Sequence, residues 1–266
     1  VTAAKRKKPS NSAKIPLPRK AMPRRALPRL TRAEGFTLHP FDAENGVQTS
    51  GLIPGRYLKI GHRHDRHSTA YFGVSPSVFR ALLRRWRRTK PAAPVERFTF
   101  IDVGAGMGRA MLLAAEYTFR EVVGIELNPI LAKIARRNLA VWKEAGRARM
   151  PMEIVCGDAV DASLPDGPCL VFLFNPFGAS VMRRLLKRLA VAFADRPGQL
   201  DLLYVNNEQE GVIEGQQGFT RLFLGQERRS RVDAIADHRI MANQPDGEYA
   251  SANYEDCSIW CWSGKS

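Results

Sequence analysis

From Phe98 onward, mainly apolar runs of five or six residues alternate with stretches whose apolar positions recur every three or four residues. Such runs predict strands buried on both faces, and the periodic stretches predict helices. Strands are expected over Phe98 to Val103, Val122 to Glu126, Met152 to Cys156, Cys169 to Phe174 and Leu200 to Val205. Helices are expected from about Met107 to Tyr117, from Asn128-Pro129 to near Gly146, and after Ser180. Ser180 can cap a helix that carries Val181, Leu185, Leu186, Leu189 and Phe193 on one face. Two later apolar runs, Phe219 to Leu224 and Cys257 to Trp262, have no clear helical pattern between them and predict an antiparallel pair. The fold class is therefore α/β: a doubly wound, mostly parallel seven-strand sheet ending in an antiparallel hairpin.

Ahead of this core, Glu34 to His67 is rich in Gly, Pro and polar residues and reads as an irregular lead-in. Ser75 and Pro76 then open a helix with Val78, Phe79, Leu82, Leu83 and Trp86 on one face and Arg80, Arg84, Arg85, Arg87 and Arg88 on the others. Pro91 and Pro94 end that region.

Charge changes the picture at the N-terminus. The chain has 266 residues and a formal net charge of +15. Residues 1 to 32 hold 11 Lys or Arg and no acid, which leaves a body of only about +4. Five prolines interrupt this extension, so it is expected to be disordered; its charge pattern reads either as a solubilising tail or as an electrostatic tether to RNA, DNA or an anionic surface. The arginine helix, Arg80 to Arg88, is a second candidate for nucleic-acid contact. No apolar run approaches the length of a membrane span, and the cysteines Cys156, Cys169, Cys257 and Cys261 show no metal spacing. A cytoplasmic protein with reduced, buried thiols is expected. Three regions follow: 1–32 as a basic extension, 33–95 as a lead-in and helix covering the site, and 96–266 as the catalytic domain.

The chemistry starts at FTFIDVGAGMGR, where a strand runs into Asp102 and the alternate glycines Gly104, Gly106 and Gly108. Glycines there let the backbone turn sharply and approach a ligand. A dinucleotide fingerprint needs a glycine three positions after the second, and that place is Arg109. What remains, Asp-x-Gly-x-Gly-x-Gly, resembles motif I of the class I S-adenosylmethionine (SAM) dependent methyltransferases. The resemblance implies that Gly104, Ala105, Gly106 and Gly108 pass beneath the cofactor and that Asp102 orients its ammonium group. It implies that Glu126, in GIELNP, accepts from both ribose hydroxyls, and that Asp158 and Ala159, in CGDA, bind the adenine amino group and ring.

The fourth strand ends in Phe174-Asn175-Pro176-Phe177, which resembles the Asn/Asp-Pro-Pro-aromatic motif of amino-methyltransferases with one proline missing. A bacterial group of class I methyltransferases carries the same shortened Asn-Pro-Phe together with a lead-in of the FDAENGVQTSG kind. By that resemblance Asn175, Pro176 and Phe177 face the acceptor, and the Asn175 side-chain carbonyl and the backbone carbonyl that follows it accept hydrogens from a target nitrogen. An amide or exocyclic amine needs no strong base, whereas a lysine ammonium does, for which His62, His64, His67 or Tyr71 would serve. The run His62-Arg63-His64-Asp65-Arg66-His67 also invites a metal reading, but its interleaved arginines oppose an added cation, and no metal is expected. The implied function is methyl transfer from SAM to a nitrogen of RNA or protein. A small-molecule O-methyltransferase and a SAM-retaining nucleic-acid binder without turnover are the alternatives.

Overall fold

The computed structural model describes residues 37–243 and 249–264; the basic extension, 1–32, lies outside the described residues. The lead-in folds first into a short helix, α1 (Pro40–Asn45), capped by the His39 ring, which accepts from the Phe41 N–H at 3.1 Å. It continues through β1 (Leu52–Ile53), two single 3-10 turns and β2 (Tyr71–Phe72), which pairs antiparallel with β1. Then come α2 (Pro76–Arg88), β3 (Thr99–Val103), α3 (Arg109–Ala114), β4 (Glu121–Glu126), α4 (Pro129–Glu144) and β5 (Met152–Cys156). The second half runs β6 (Cys169–Phe174), α5 (Ala179–Ala192), β7 (Leu200–Val205), α6 (Glu210–Glu214), β8 (Phe219–Arg228), α7 (Arg231–Ala242) and β9 (Tyr254–Trp262).

Seven strands form one sheet in the order β5-β4-β3-β6-β7-β9-β8. The pairs from β5 through β7 are parallel, and β9 runs antiparallel to both β7 and β8. Successive strands extend outward from β3 on one side and from β6 on the other, so the topological switch lies between β3 and β6. The α/β sheet is as the sequence predicts.

The core occupies both faces. On one, Phe79 of α2 makes edge contacts with Phe100 and Phe172 at centroid distances of 5.8 and 5.3 Å. Trp86 is fully buried, and its indole N–H donates to Asp201 Oδ2 at 2.8 Å. Each large side chain so buried contributes about 1.5–3 kcal/mol, so α2 is part of the domain's core rather than an appendage. On the other face Val181, Leu185 and Leu189 of α5 pack with Val171 and Trp260.

Four local expectations need correction. Ser180 lies inside α5, whose N-cap is Gly178. Ser75 occupies the N-cap of α2 but makes no cap bond; its hydroxyl donates to Asp237 instead. A 12-residue helix, α7, stands between the last two strands, where none was expected. The cysteines are free, and Cys156 is exposed rather than buried.

Candidate active site

A cleft opens beyond the carboxyl ends of β3, β4 and β6. Asp102, Gly104, Ala105, Gly106, Glu126, Asp158 and Ala159 all line it. Gly104, Gly106 and Gly108 have φ of +75°, +55° and +89°, the left-handed region that side chains rarely adopt. Two of them are also required by their neighbours. A Cβ at Gly104 would lie 2.7 Å from Pro176 Cβ, and one at Gly106 would lie 2.3 Å from the Tyr71 ring. The glycine loop thus lets the lead-in and the Asn-Pro-Phe loop close onto it from opposite sides.

The three acids are held differently. Asp102 is 4% exposed, and its carboxyl has no hydrogen-bond partner among the described residues. Burial, reinforced by the charge of Glu126, pushes its pKa up to about 8. Glu126 is fixed at both oxygens: Oε2 accepts from the Gly106 N–H and Oε1 from the Asn128 N–H, each at 2.7 Å. Burial still raises its pKa. A carboxylate oxygen accepts more than one bond, so each retains capacity for a ligand hydroxyl.

Asp158 Oδ1 accepts from the Val160 N–H at 3.0 Å, while Oδ2 faces the lead-in. His64 Nδ1 stands 2.8 Å from it, at ion-pair distance but without hydrogen-bond alignment, and Arg63 and His62 follow at 3.6 and 3.8 Å. Burial lowers the His64 pKa against the pull of Asp158, so the ring faces the carboxylate largely uncharged near neutral pH.

His62, His64 and Asp158 are close enough together to hold a metal ion. Two guanidinium groups already stand there, Arg63 beside Asp158 and Arg184 at 3.1 Å from His64 Nε2. Like charge at that range opposes a dication. Asp65, the carboxylate within the histidine run, is engaged elsewhere: its Oδ2 accepts from the N–H groups of Ile60, Gly61 and His62 and shapes that turn.

Phe174, Pro176 and Phe177 line the cleft, and Asn175 does not. Asn175 sits at φ +40° with Oδ1 accepting from the Tyr204 hydroxyl at 3.3 Å, and its backbone carbonyl accepts from Thr69 Oγ1 at 2.6 Å. The side-chain acceptor expected to meet a target nitrogen is thus engaged by Tyr204, and the backbone carbonyl that follows, that of the cleft-lining Pro176, accepts from the Thr69 N–H at 3.5 Å. The latter contact comes from the lead-in, which runs antiparallel beside this loop through a Ser68–Phe177 bridge and a Gly178 N–H donation to the His67 carbonyl at 3.0 Å.

Tyr71 is also corrected. Its hydroxyl donates to the Thr49 carbonyl at 2.7 Å, burial drives its pKa far upward, and its ring forms a wall against Gly106. Its ring lines the cleft, while the engaged hydroxyl and raised pKa oppose a role as base. His67 is tied to the Arg66 guanidinium, which donates to Nε2 at 3.1 Å.

Sequence reading missed the polar group that fastens the lead-in to the site. Arg109, 2% exposed, donates to Thr49 Oγ1 at 2.7 Å and to the Gly73 carbonyl at 3.2 Å, with Asp42 Oδ1 at 3.7 Å. Asp42 in turn accepts from Ser50 Oγ at 2.7 Å. The only available signal was an arginine at a place normally given to a small residue beside a glycine loop.

Residues 101–175 match the family model described as a methyltransferase domain. The match covers the stretch from β3 to the end of β6 within the Rossmann-like sheet order given above. The tRNA1(Val) (adenine(37)-N6)-methyltransferase of Porphyromonas gingivalis is 36% identical over 84 residues, 31% of this chain and 31% of that relative's length. Among solved structures, the [4+2]-cyclase SpnF superposes with a TM-score of 0.50 at 17% identity, over 71% of this chain and 82% of that one. TrmN from Thermus thermophilus gives 0.47 at 16% identity, over 71% and 49%. The cyclase likeness concerns the fold alone, which hosts more than one reaction.

Proposed function

We propose that the chain transfers a methyl group from S-adenosylmethionine to a nitrogen of RNA. The observation that carries this reading is the convergence of Asp102, Glu126 and Asp158, which lie at or just past the carboxyl ends of three successive strands, on one cleft beside the glycine loop. The residues present fit the cofactor: an unpartnered carboxyl at Asp102 for an ammonium, a fixed two-oxygen acceptor at Glu126 for a diol, and an unsatisfied buried oxygen at Asp158 for an amine. When bound, SAM supplies an electrophilic methyl group whose departure leaves an uncharged thioether.

Transfer of this kind depends chiefly on in-line positioning of the acceptor. Phe174, Pro176 and Phe177 supply an apolar wall that excludes water and packs on a planar base. In this reading Asn175 acts once Thr69 releases its carbonyl, so that the backbone oxygen accepts a hydrogen from the target amine and turns the nitrogen lone pair toward the methyl group. The lead-in, 33–95, is then the cover of the site and the extension 1–32 a tether for RNA. An RNA acceptor and free thiols support a cytoplasmic setting, and among the described residues no helix is long and apolar enough to cross a membrane. The adenine-directed relative supports the nitrogen acceptor over the 84 residues it shares.

The pairing of Ser68 with Phe177 narrows the mouth and favours a second reading, a small-molecule acceptor. Incubation with methyl-labelled SAM and fractionated cell extract separates them. Label in a ribonuclease-sensitive fraction is the expected result, with Asp158→Ala abolishing both SAM binding and labelling. Label confined to small molecules would replace RNA by the second reading.

A further inference from the structure

Helix α7 occupies the connection from β8 to β9, and its two faces differ sharply. Asp233, Ala236, Asp237 and Ile240 are buried, whereas Arg231, Ile235, His238 and Arg239 are exposed. The spacing 231, 235, 238, 239 places those four on one stripe. Together with Arg228 at the end of β8 and with Asn253, they line a cleft separate from the one described above. No acidic residue lines it, and Arg228, Arg231 and Arg239 have no ion pair among the described residues. Some arginines elsewhere are neutralised, Arg80 by Glu116, Arg85 by Glu227 and Arg63 by Asp161; what sets this group apart is that its arginines gather in one cleft without an acid in its lining.

The position of this basic cleft matters as much as its charge. β8 runs antiparallel to β9, which runs antiparallel to β7, so Arg228 ends its strand at the same edge of the sheet as the cofactor cleft. The buried face of α7 is bonded to the first turn of α2. Asp233 Oδ2 accepts from the Ser77 N–H at 2.8 Å, and Asp237 Oδ2 accepts from the Ser75 hydroxyl at 2.5 Å. Arg229 Nε donates to the same hydroxyl at 2.9 Å. Val74, the residue before Ser75, lines the cofactor cleft. A helix is roughly 10–12 Å across with its side chains, so the basic stripe stands about one helix diameter from that wall.

We propose that the cleft carrying Arg228, Arg231, His238 and Arg239 docks the phosphate backbone of the RNA acceptor and sets its approach to the methyl group. Arginines give bidentate contacts to phosphate, and the half-exposed Ile235 between them offers an apolar surface to a ribose or an unstacked base. This rests on the RNA reading of the proposed function. The arginines of α2 expected to make such contact do not compete. Arg80 and Arg85 are neutralised, and the exposed Arg84, Arg87 and Arg88 lie about 12 to 18 Å along the helix from its first turn.

The test compares the full chain with Arg231→Gln/Arg239→Gln. Binding of a fluorescein-labelled single-stranded RNA is followed by anisotropy across a salt series, with SAM affinity by calorimetry and methyl transfer to bulk tRNA measured in parallel. Two lost phosphate contacts should reduce the slope of log affinity against log salt by about 1.4. KM for RNA should rise while kcat and SAM affinity stay unchanged. If the wild type methylates RNA and the variant matches it in slope and KM, the cleft is not the docking surface and the RNA reading stands. If the wild type binds no RNA while an acidic peptide binds in a manner lost in the variant, both the docking proposal and the RNA reading fall. Arg228→Gln provides an independent variant on a different element.

Discussion

Asp102 shows how the cleft treats charge. Its carboxyl is held to a pKa of about 8 against an ordinary value of 3.8, so near neutral pH the folded chain keeps a proton that the unfolded chain has lost. Stability therefore falls as pH rises from about 4 to about 8. Asp102→Asn should raise the thermal midpoint over that interval, most at its upper end, and thermal unfolding at pH 5 and pH 8 would check it. The same carboxyl should lose its proton when an ammonium binds beside it. SAM affinity should increase with pH up to about 8 and then level, with proton release at pH 7 visible as a calorimetric enthalpy that depends on the buffer; a flat pH profile would remove Asp102 from the ammonium's site. The three acids were legible in the chain because each stands at, or within two residues of, the carboxyl end of a mainly apolar strand. The direction of Asn175 was not, since its side chain is turned by Tyr204, 29 positions away.

At the scale of elements, the parallel strands and α4 follow from mainly apolar runs and a capping Asn-Pro, Asn128 accepting from the Ile130 N–H at 2.9 Å. Helix α7 escaped because its buried face carries Asp233 and Asp237, satisfied by Ser75, Ser77 and Arg229, so no apolar period of 3.6 appears. The lead-in escaped for a similar reason: its order comes from polar contacts with partners distant in sequence. The stretch from Ser68 to Gly73 is held over the Asn-Pro-Phe loop by few such bonds, chiefly Thr69 to Asn175 and Gly178 to His67. Thr69→Val removes one and should cost about 1 kcal/mol of local stability. Amide hydrogen exchange at Thr69 and Gly178 should accelerate while strands β3 and β6 stay protected; uniform protection would show that the cover is held by its packing alone.

Across the whole molecule, the lead-in, α2 and the sheet share one core, and the buried polar groups tie them together. His39 bridges the two networks: its N–H donates to Ser50 Oγ at 2.8 Å, and Nε2 lies 3.5 Å from Asp233. Burial and the nearby Arg109 push its pKa down to about 4, so it stays neutral between charged groups. Arg109→Met should destabilise the domain by about 3 kcal/mol, because Asp42 would remain buried without its counter-charge. Urea unfolding would show it as a lower midpoint with an unchanged slope. An unchanged midpoint would mean that Thr49 and Ser50 satisfy Asp42 unaided.

The guanidinium of Arg109 also limits how far this enzyme fold can be treated as a portable cassette. Residues 101–175, the stretch that matches the methyltransferase family, contain Arg109 but none of the groups that hold it, which come from Asp42, Thr49, Ser50 and Gly73. A fragment cut at residue 96, or a graft of the glycine loop into another scaffold, would carry a sealed cation with nothing to answer it. Transplanting the loop requires that the segment from Pro40 to Gly73 travel with it.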